Sequence, residues 1–288
     1  MQLPLLNYCR FQPLRRTAFT EILQCVVKTL TSFVVGYKTV SCTGGKWYMI
    51  AADFQSVGNT AAQKTIKINE FIKGDFEGGA DTFASCPIIQ IWSSEGSAYT
   101  TWYFWKDSTG KTTAKKHNFW GLDDDKDKYD TYMAATIDLG LAVWFQPKDD
   151  CTIQVAGQVA EVSTSTVDVK PGQWNMIANP WPIALNINSG INWAAQVETG
   201  NLTGGADTFA SCPIIQIWDP GTSGYTSWYF WKDSTGKTTA KKHNFWGLDD
   251  DKDKYDTYMS GTVPVGCGFW FKYGMQNSDK PMTLTFTK

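Results

Sequence analysis

The side chains best suited to recognition chemistry lie in a stretch that occurs twice. Tyr99, Trp102, Tyr103, Trp105 and Trp120 recur as Tyr225, Trp228, Tyr229, Trp231 and Trp246. Flat aromatic faces, when exposed, offer apolar platforms on which a sugar ring can stack, and exposed apolar patches mark binding surfaces. The neighbouring Asp and Lys residues would supply hydrogen bonds to hydroxyls. Carbohydrate is therefore the expected ligand. The opposite reading is that these rings fill a β core. We expect most of them to do so, with two or three per copy left exposed.

A second group is acidic. Asp123, Asp125 and Asp127 alternate through a short segment, and Asp249, Asp251 and Asp253 repeat the pattern. Calcium takes six to eight oxygen ligands, and this spacing resembles the start of a calcium loop. The turn glycine and the final glutamate of such a loop are replaced by Lys128 and Ala134, and Lys126 adds further positive charge. A solvated acidic loop is the expectation, with calcium as the alternative. The two histidines, His117 and His243, are equivalent in the two copies and come without GxSxG, HExxH or a Cys-His cluster. The segment Asp107–Thr112 lacks the first glycine of a phosphate loop, because Trp105 stands there. We therefore expect no catalytic residues. A carboxylate pair acting on glycans is kept as a third possibility, behind binding and self-association.

The elements that must hold these residues follow from the repeat itself, a feature that decides architecture before anything else. Residues 78–133 recur at 204–259, differing only at positions 93, 94, 95, 96, 98 and 101. Outside this block the likeness is weaker. KTVSCTGGKWYMIA (38–51) aligns with STVDVKPGQWNMIA (165–178), GLAVWF (140–145) with GCGFWF (266–271), and CTIQVAG (151–157) with MTLTFTK (282–288). The offset is 127 before the block and 126 within it, so one residue is gained or lost between them. The units expected are 34–158 and 161–288, after an N-terminal segment 1–33.

Short β-branched or aromatic runs bounded by Gly, Pro or Asp read as strands: PIIQIW, AVWF, TIQV and TLTF. Tyr99, Thr101, Tyr103 and Trp105 alternate with Thr100, Trp102 and Phe104, so this strand carries aromatics on both faces. The residues after it, Lys106–Lys111, read as a hairpin turn. INEFIKGDF (68–76) and INWAAQVETG (191–200) have some helical character. The fold class is all-β, with two tandem homologous units, each an antiparallel β-sandwich or barrel-like domain.

Three segments carry a resemblance. They are Val34-Val35-Gly36-Tyr37, then Gly172-Gln173-Trp174-Asn175-Met176-Ile177-Ala178-Asn179-Pro180, then Gly266-Cys267-Gly268-Phe269-Trp270. The chain resembles a group of largely uncharacterised exported bacterial β-repeat proteins with these segments. Unit one departs from the pattern, with Tyr48 for Asn and Asp53-Phe54 for Pro-Trp. The resemblance implies secretion or surface display, and names no activity. In the N-terminal segment, Arg15 and Arg16 precede a moderately apolar stretch, as in a signal peptide, but Glu21 and Lys28 interrupt it, and a short amphipathic helix over about 17–31 is the alternative.

Composition narrows the classes. A net charge of -2 supplies no basic field for nucleic acid, and no long uncharged apolar run is present for a transmembrane helix. Seven cysteines without a CxxC pair suggest neither zinc nor a disulfide framework, and Cys86 and Cys212 are expected to be buried thiols. The run 102–133 balances six Lys against six Asp with the signs segregated. Matched charged hairpins of this kind support a second function class, self-association. The expected protein is thus a non-catalytic exported or cell-surface binder, with a glycan or surface partner.

Overall fold

A computed structural model describes residues 34–80, 82–106, 118–123, 125–205, 208–232, 244–249, 251, 254–274 and 280–288. The N-terminal segment, both histidines, the expected turn at 107–111 and Asp253 lie outside the described residues. The protein is all-β and antiparallel, with a few short helices. Residues Phe33–Lys288 form one compact body, with 34–158 as its first half in sequence and 161–288 as its second.

The first half contains strands β1 (Val35–Cys42), β2 (Tyr48–Ala51), β3 (Thr65–Lys67), β4 (Ile72–Gly74), β5 (Ile88–Ser93), β6 (Ala98–Trp105), β7 (Phe119–Gly121), β8 (Thr136–Asp138), β9 (Ala142–Gln146) and β10 (Cys151–Gln158). Its main sheet has the order β2-β9-β5-β6-β7, and a smaller sheet has the order β1-β10-β4. The second half contains β11 (Thr164–Val169), β12 (Asn175–Ala178), β13 (Leu185–Asn186), β14 (Ile214–Asp219), β15 (Gly224–Trp231), β16 (Phe245–Gly247), β17 (Thr262–Val263), β18 (Gly268–Lys272) and β19 (Met282–Thr287). Its main sheet, β12-β18-β14-β15-β16, repeats the first in order, and β11-β19 repeats β1-β10. The helices are α1 (Ile68–Phe71), α2 (Tyr129–Ala134), α3 (Trp193–Glu198) and α4 (Tyr255–Tyr258).

Burial explains the strand sequences. Each main sheet is covered on both faces. One face of the first packs with Ile153 and Val155 of β10 through Ile50, Val143, Phe145 and Ile89. The opposite face carries Met49, Ala51, Ala142 and Trp144, which cluster with Met176, Ala178 and Trp270 of the second half. A strand buried on both faces shows an unbroken apolar run, as YMIA in β2 and AVWF in β9 do. The outer strands alternate instead, β11 and β19 burying every second residue.

The seam between halves is isologous, the same surface meeting its own copy, as in a two-fold dimer. The Ala51 N–H donates to the Gly266 carbonyl at 2.9 Å, and the Ala178 N–H to the Gly140 carbonyl at 2.7 Å. Both glycines have positive φ, +75° and +85°, a conformation side-chain-bearing residues rarely adopt. The Trp92 indole N–H donates to the Trp174 carbonyl at 2.6 Å, and that of Trp218 to the Trp47 carbonyl at 2.8 Å.

The register between copies is less uniform than the sequence offsets imply. The Asn69 carboxamide accepts from the Trp120 N–H at 2.7 Å and donates to the Trp120 and Tyr132 carbonyls. Asn188 does the same for Trp246 and Tyr258. Residue 188 is 119 positions beyond 69, so the second copy loses residues before this point and regains them in the segment containing α3. The net shift of one residue conceals both changes. In each half this asparagine satisfies the outer edge of β7 or β16 as a further strand would.

Candidate functional site

Of the six positions that differ inside the repeated block, five cluster in space, and Thr101, replaced by Ser227, has no structural explanation. The five, 93–96 and 98, belong to or flank the β5–β6 hairpin tip, which reaches the other half. Glu95 pairs with Lys170 at 2.7 Å and Ser97 donates to Gln173. In the second half the corresponding tip is Asp219-Pro220-Gly221-Thr222-Ser223. There Asp219 accepts from the Gly221 N–H and the Thr222 hydroxyl, and these hold its carboxyl below the usual range. The two tips meet non-identical neighbours, and their sequences differ accordingly.

Next to these tips, at the seam, lies a cleft of about 260 Å³ lined by Trp47, Gln90, Tyr99, Trp144, Trp218 and Tyr225. Both halves contribute. Trp144 meets Trp218 edge to face at 5.4 Å, and Trp92 meets Trp270 in the equivalent way at 5.4 Å. Each of Trp92 and Trp218 in turn packs on the tyrosine of the adjacent strand, Tyr99 or Tyr225, at 4.9 Å. The Trp144 indole donates to the Tyr99 hydroxyl at 3.2 Å. Partial burial raises the Tyr99 and Tyr225 hydroxyls above the usual phenol value, so both are neutral donors at physiological pH. Tyr99 is 41% exposed and Tyr225 43%. Gln90 adds an amide that donates to the Thr101 hydroxyl at 3.2 Å. The cleft is thus an aromatic box with phenol and carboxamide groups inside it, close in size to the smaller end of ligand pockets (about 300 Å³ upward).

The other rings singled out by sequence are placed differently. Trp102 is buried against the core of the first half and meets Tyr132 edge to face. Trp105, Trp120, Trp231 and Trp246 are buried and offer no face to a ligand: Trp105 and Trp231 lie against Phe83 and Phe209, and Trp120 and Trp246 pack on Phe104 and Phe230. Trp228 is half-buried against Tyr258. Tyr103 and Tyr229 are half-buried on the same sheet face as Tyr99 and Tyr225. They are covered by Phe83 and Phe209, which are themselves exposed. Sequence reasoning missed Trp47, Gln90, Trp144 and Trp218. Trp47 and Trp144 lie outside the repeated block, and only the seam brings them to it.

The described carboxylates of the acidic segments bond to partners close by in the sequence. The Asp123 carboxylate accepts from the Asp125 N–H at 3.1 Å, from the Tyr132 hydroxyl and from Lys128 at 2.9 Å; Lys128 also reaches Asp125 at 3.3 Å. Asp125 accepts from the Asp127 N–H. Asp249, Asp251, Lys254 and Tyr258 repeat this arrangement. The lysine ammonium stands between two of the carboxylates that a calcium ion would need. Among the described residues no cluster of three or more acidic, histidine or cysteine side chains is arranged for a metal.

One buried ion pair has no counterpart in the second half. Lys38 meets Asp53 at 2.6 Å with the Asp53 side chain fully buried, and the positions aligned with them are Ser165 and Pro180. Burial lowers the Lys38 pKa and raises that of Asp53, each opposed by the partner's charge.

No helix among the described residues is long and apolar enough to cross a membrane. Comparison with family models, curated proteins and solved structures gives no match.

Proposed function

We propose that the protein is a non-catalytic binder, exported or displayed at a cell surface, that takes a carbohydrate into the seam cleft. The observation that carries this reading is the convergence of Trp47, Tyr99, Trp144, Trp218 and Tyr225 with Gln90 around one opening. The rings suit stacking on the apolar face of a sugar, and the phenols and amide suit its hydroxyls. The ligand class is a neutral sugar, because rings and uncharged polar groups line the space. Export rests on the resemblance of the Val-Val-Gly-Tyr and Gly-x-Gly-Phe-Trp segments. Calcium has no role in this reading. A glycan array with the full chain tests it. Binding to neutral oligosaccharides that is lost in Tyr99→Ala with Tyr225→Ala supports the proposal; an array without binding rejects it.

Self-association is the second reading, favoured by the edge strand β1. Val35 and Tyr37 are exposed there, as is Val34 just before it, and an apolar edge is a template for pairing with another chain. Sedimentation that finds only monomer at high protein concentration rejects this alternative.

A further inference from the structure

Strand β1 is held weakly by packing. Of its eight residues only Cys42 is buried, whereas β11, its counterpart, buries Ser165, Val167 and Val169. Strand β1 is also an edge strand, paired with β10 alone. Its last residue, Cys42, lies directly opposite Cys151, the first residue of β10. Opposed residues of an antiparallel pair have Cα atoms about 4.5–5.5 Å apart, inside the about 4.4–6.8 Å range that disulfides span. Both thiols are free and buried in this structure, and the Cys42 thiol donates to the Val40 carbonyl at 3.7 Å. The second half makes the comparison. At the corresponding pair, Val169 lies opposite Met282, so both positions that are cysteine in one copy are apolar in the other.

We propose that Cys42 and Cys151 form a cross-strand disulfide that clamps edge strand β1 to β10. The oxidant is a low-molecular-weight disulfide such as oxidised glutathione. One cysteine thiolate attacks it, forming a mixed disulfide and releasing one glutathione thiol. The other cysteine thiolate then attacks the protein sulfur of that mixed disulfide and releases the second glutathione. Two protein thiols lose two protons and two electrons, and one glutathione disulfide becomes two thiols. Burial pushes the Cys42 thiol up to about 12 and raises that of Cys151, so the thiolates are scarce once the strands have closed. The bond therefore forms as β1 docks during folding, and burial then shields it from reductants. This inference does not depend on what the seam cleft binds.

The test is oxidative refolding of the full chain from denaturant in a glutathione redox buffer. Alkylation of remaining thiols and peptide mass mapping follow. The expected result is a linked peptide pair containing Cys42 and Cys151, two hydrogens lighter than the reduced pair. Reduction should lower Tm by roughly 10 °C, from the size of the closed loop and the length of the body. Because serine at buried positions risks misfolding, the control is Cys42→Val with Cys151→Met, the pair the second half already carries. That variant should fold, and its Tm should not respond to reductant. Alkylation of both Cys42 and Cys151 after oxidative refolding, or linkage of either to another cysteine, overturns the proposal. A reductant response that persists in the control overturns the clamp.

Discussion

Truncation of Trp92 or Trp218 probes the seam that makes one body of two repeats. Each ring donates a hydrogen bond to the opposite half, at 2.6 and 2.8 Å, meets that half's tryptophan at 5.4 Å, and packs on its own half's tyrosine at 4.9 Å. Two edge-to-face contacts contribute about 0.5–1.5 kcal/mol each, and the hydrogen bond about 1 kcal/mol. Both rings are half-buried, so the cost of each Trp→Ala change falls at the low end of the large-to-small range, about 3 kcal/mol. Trp→Phe keeps most of the ring and removes the indole donor, so it should cost about 1 kcal/mol. The assay is urea unfolding followed by far-UV circular dichroism. The two single alanine variants should lose equal stability within about 1 kcal/mol, and each should still unfold in one transition, because the halves share the cluster of Met49, Trp144, Met176 and Trp270. A second transition, or a cost below about 1 kcal/mol for either ring, would refute the shared-seam account.

Four further outcomes follow from other parts of the structure. Asn69→Ala and Asn188→Ala each delete three hydrogen bonds to an edge strand and should each cost about 3 kcal/mol by denaturant unfolding, with additive effects because the sites lie in different halves. Asp53→Leu removes the partner of the buried Lys38 side chain and should cost about 3–5 kcal/mol, whereas Lys38→Met with Asp53→Leu should be neutral or stabilising by denaturant unfolding. The Tyr132 hydroxyl first, and Lys128 second, hold Asp123 below its ordinary 3.8, and Asp249 is held likewise by Tyr258 and Lys254. A depressed folded-state value contributes stability above 3.8 that is lost as pH falls through it, so Asp123→Asn with Asp249→Asn should flatten the fall of Tm below about pH 4. Added calcium should leave the wild-type Tm unchanged, because Lys128 and Lys254 already hold the carboxylates.

The strands were legible because their patterns are local. β5, β9, β10 and β19 fall on the runs read as strands, and the alternation of Tyr99–Trp105 places Trp102 and Tyr103 on opposite faces, as β6 shows. Helix α2 was not legible, since its residues follow an acidic stretch that reads as loop. The cleft was half visible. Tyr99 and Tyr225 sit in the duplicated strand, but which face of a sheet meets the second copy is a tertiary fact, and Trp47 and Trp144 acquire their role only through it. The opposition of Cys42 and Cys151 was hidden for the same reason. The alignments 42 with 169 and 151 with 282 are in the sequence, but the pairing of β1 with β10 is not. The sequence shows Lys128 as an offsetting charge, and the structure adds that its ammonium lies between Asp123 and Asp125.

The central claim is that the seam cleft is a binding site, and tryptophan fluorescence reports on it directly because Trp47, Trp144 and Trp218 line it. Titration of the full chain with neutral oligosaccharides should give a saturable change in emission. In Tyr99→Ala with Tyr225→Ala the affinity should fall at least about tenfold, equivalent to about 1.4 kcal/mol, with the fold retained by circular dichroism. No saturable change with any oligosaccharide, or an affinity unaltered in the double variant, would contradict it.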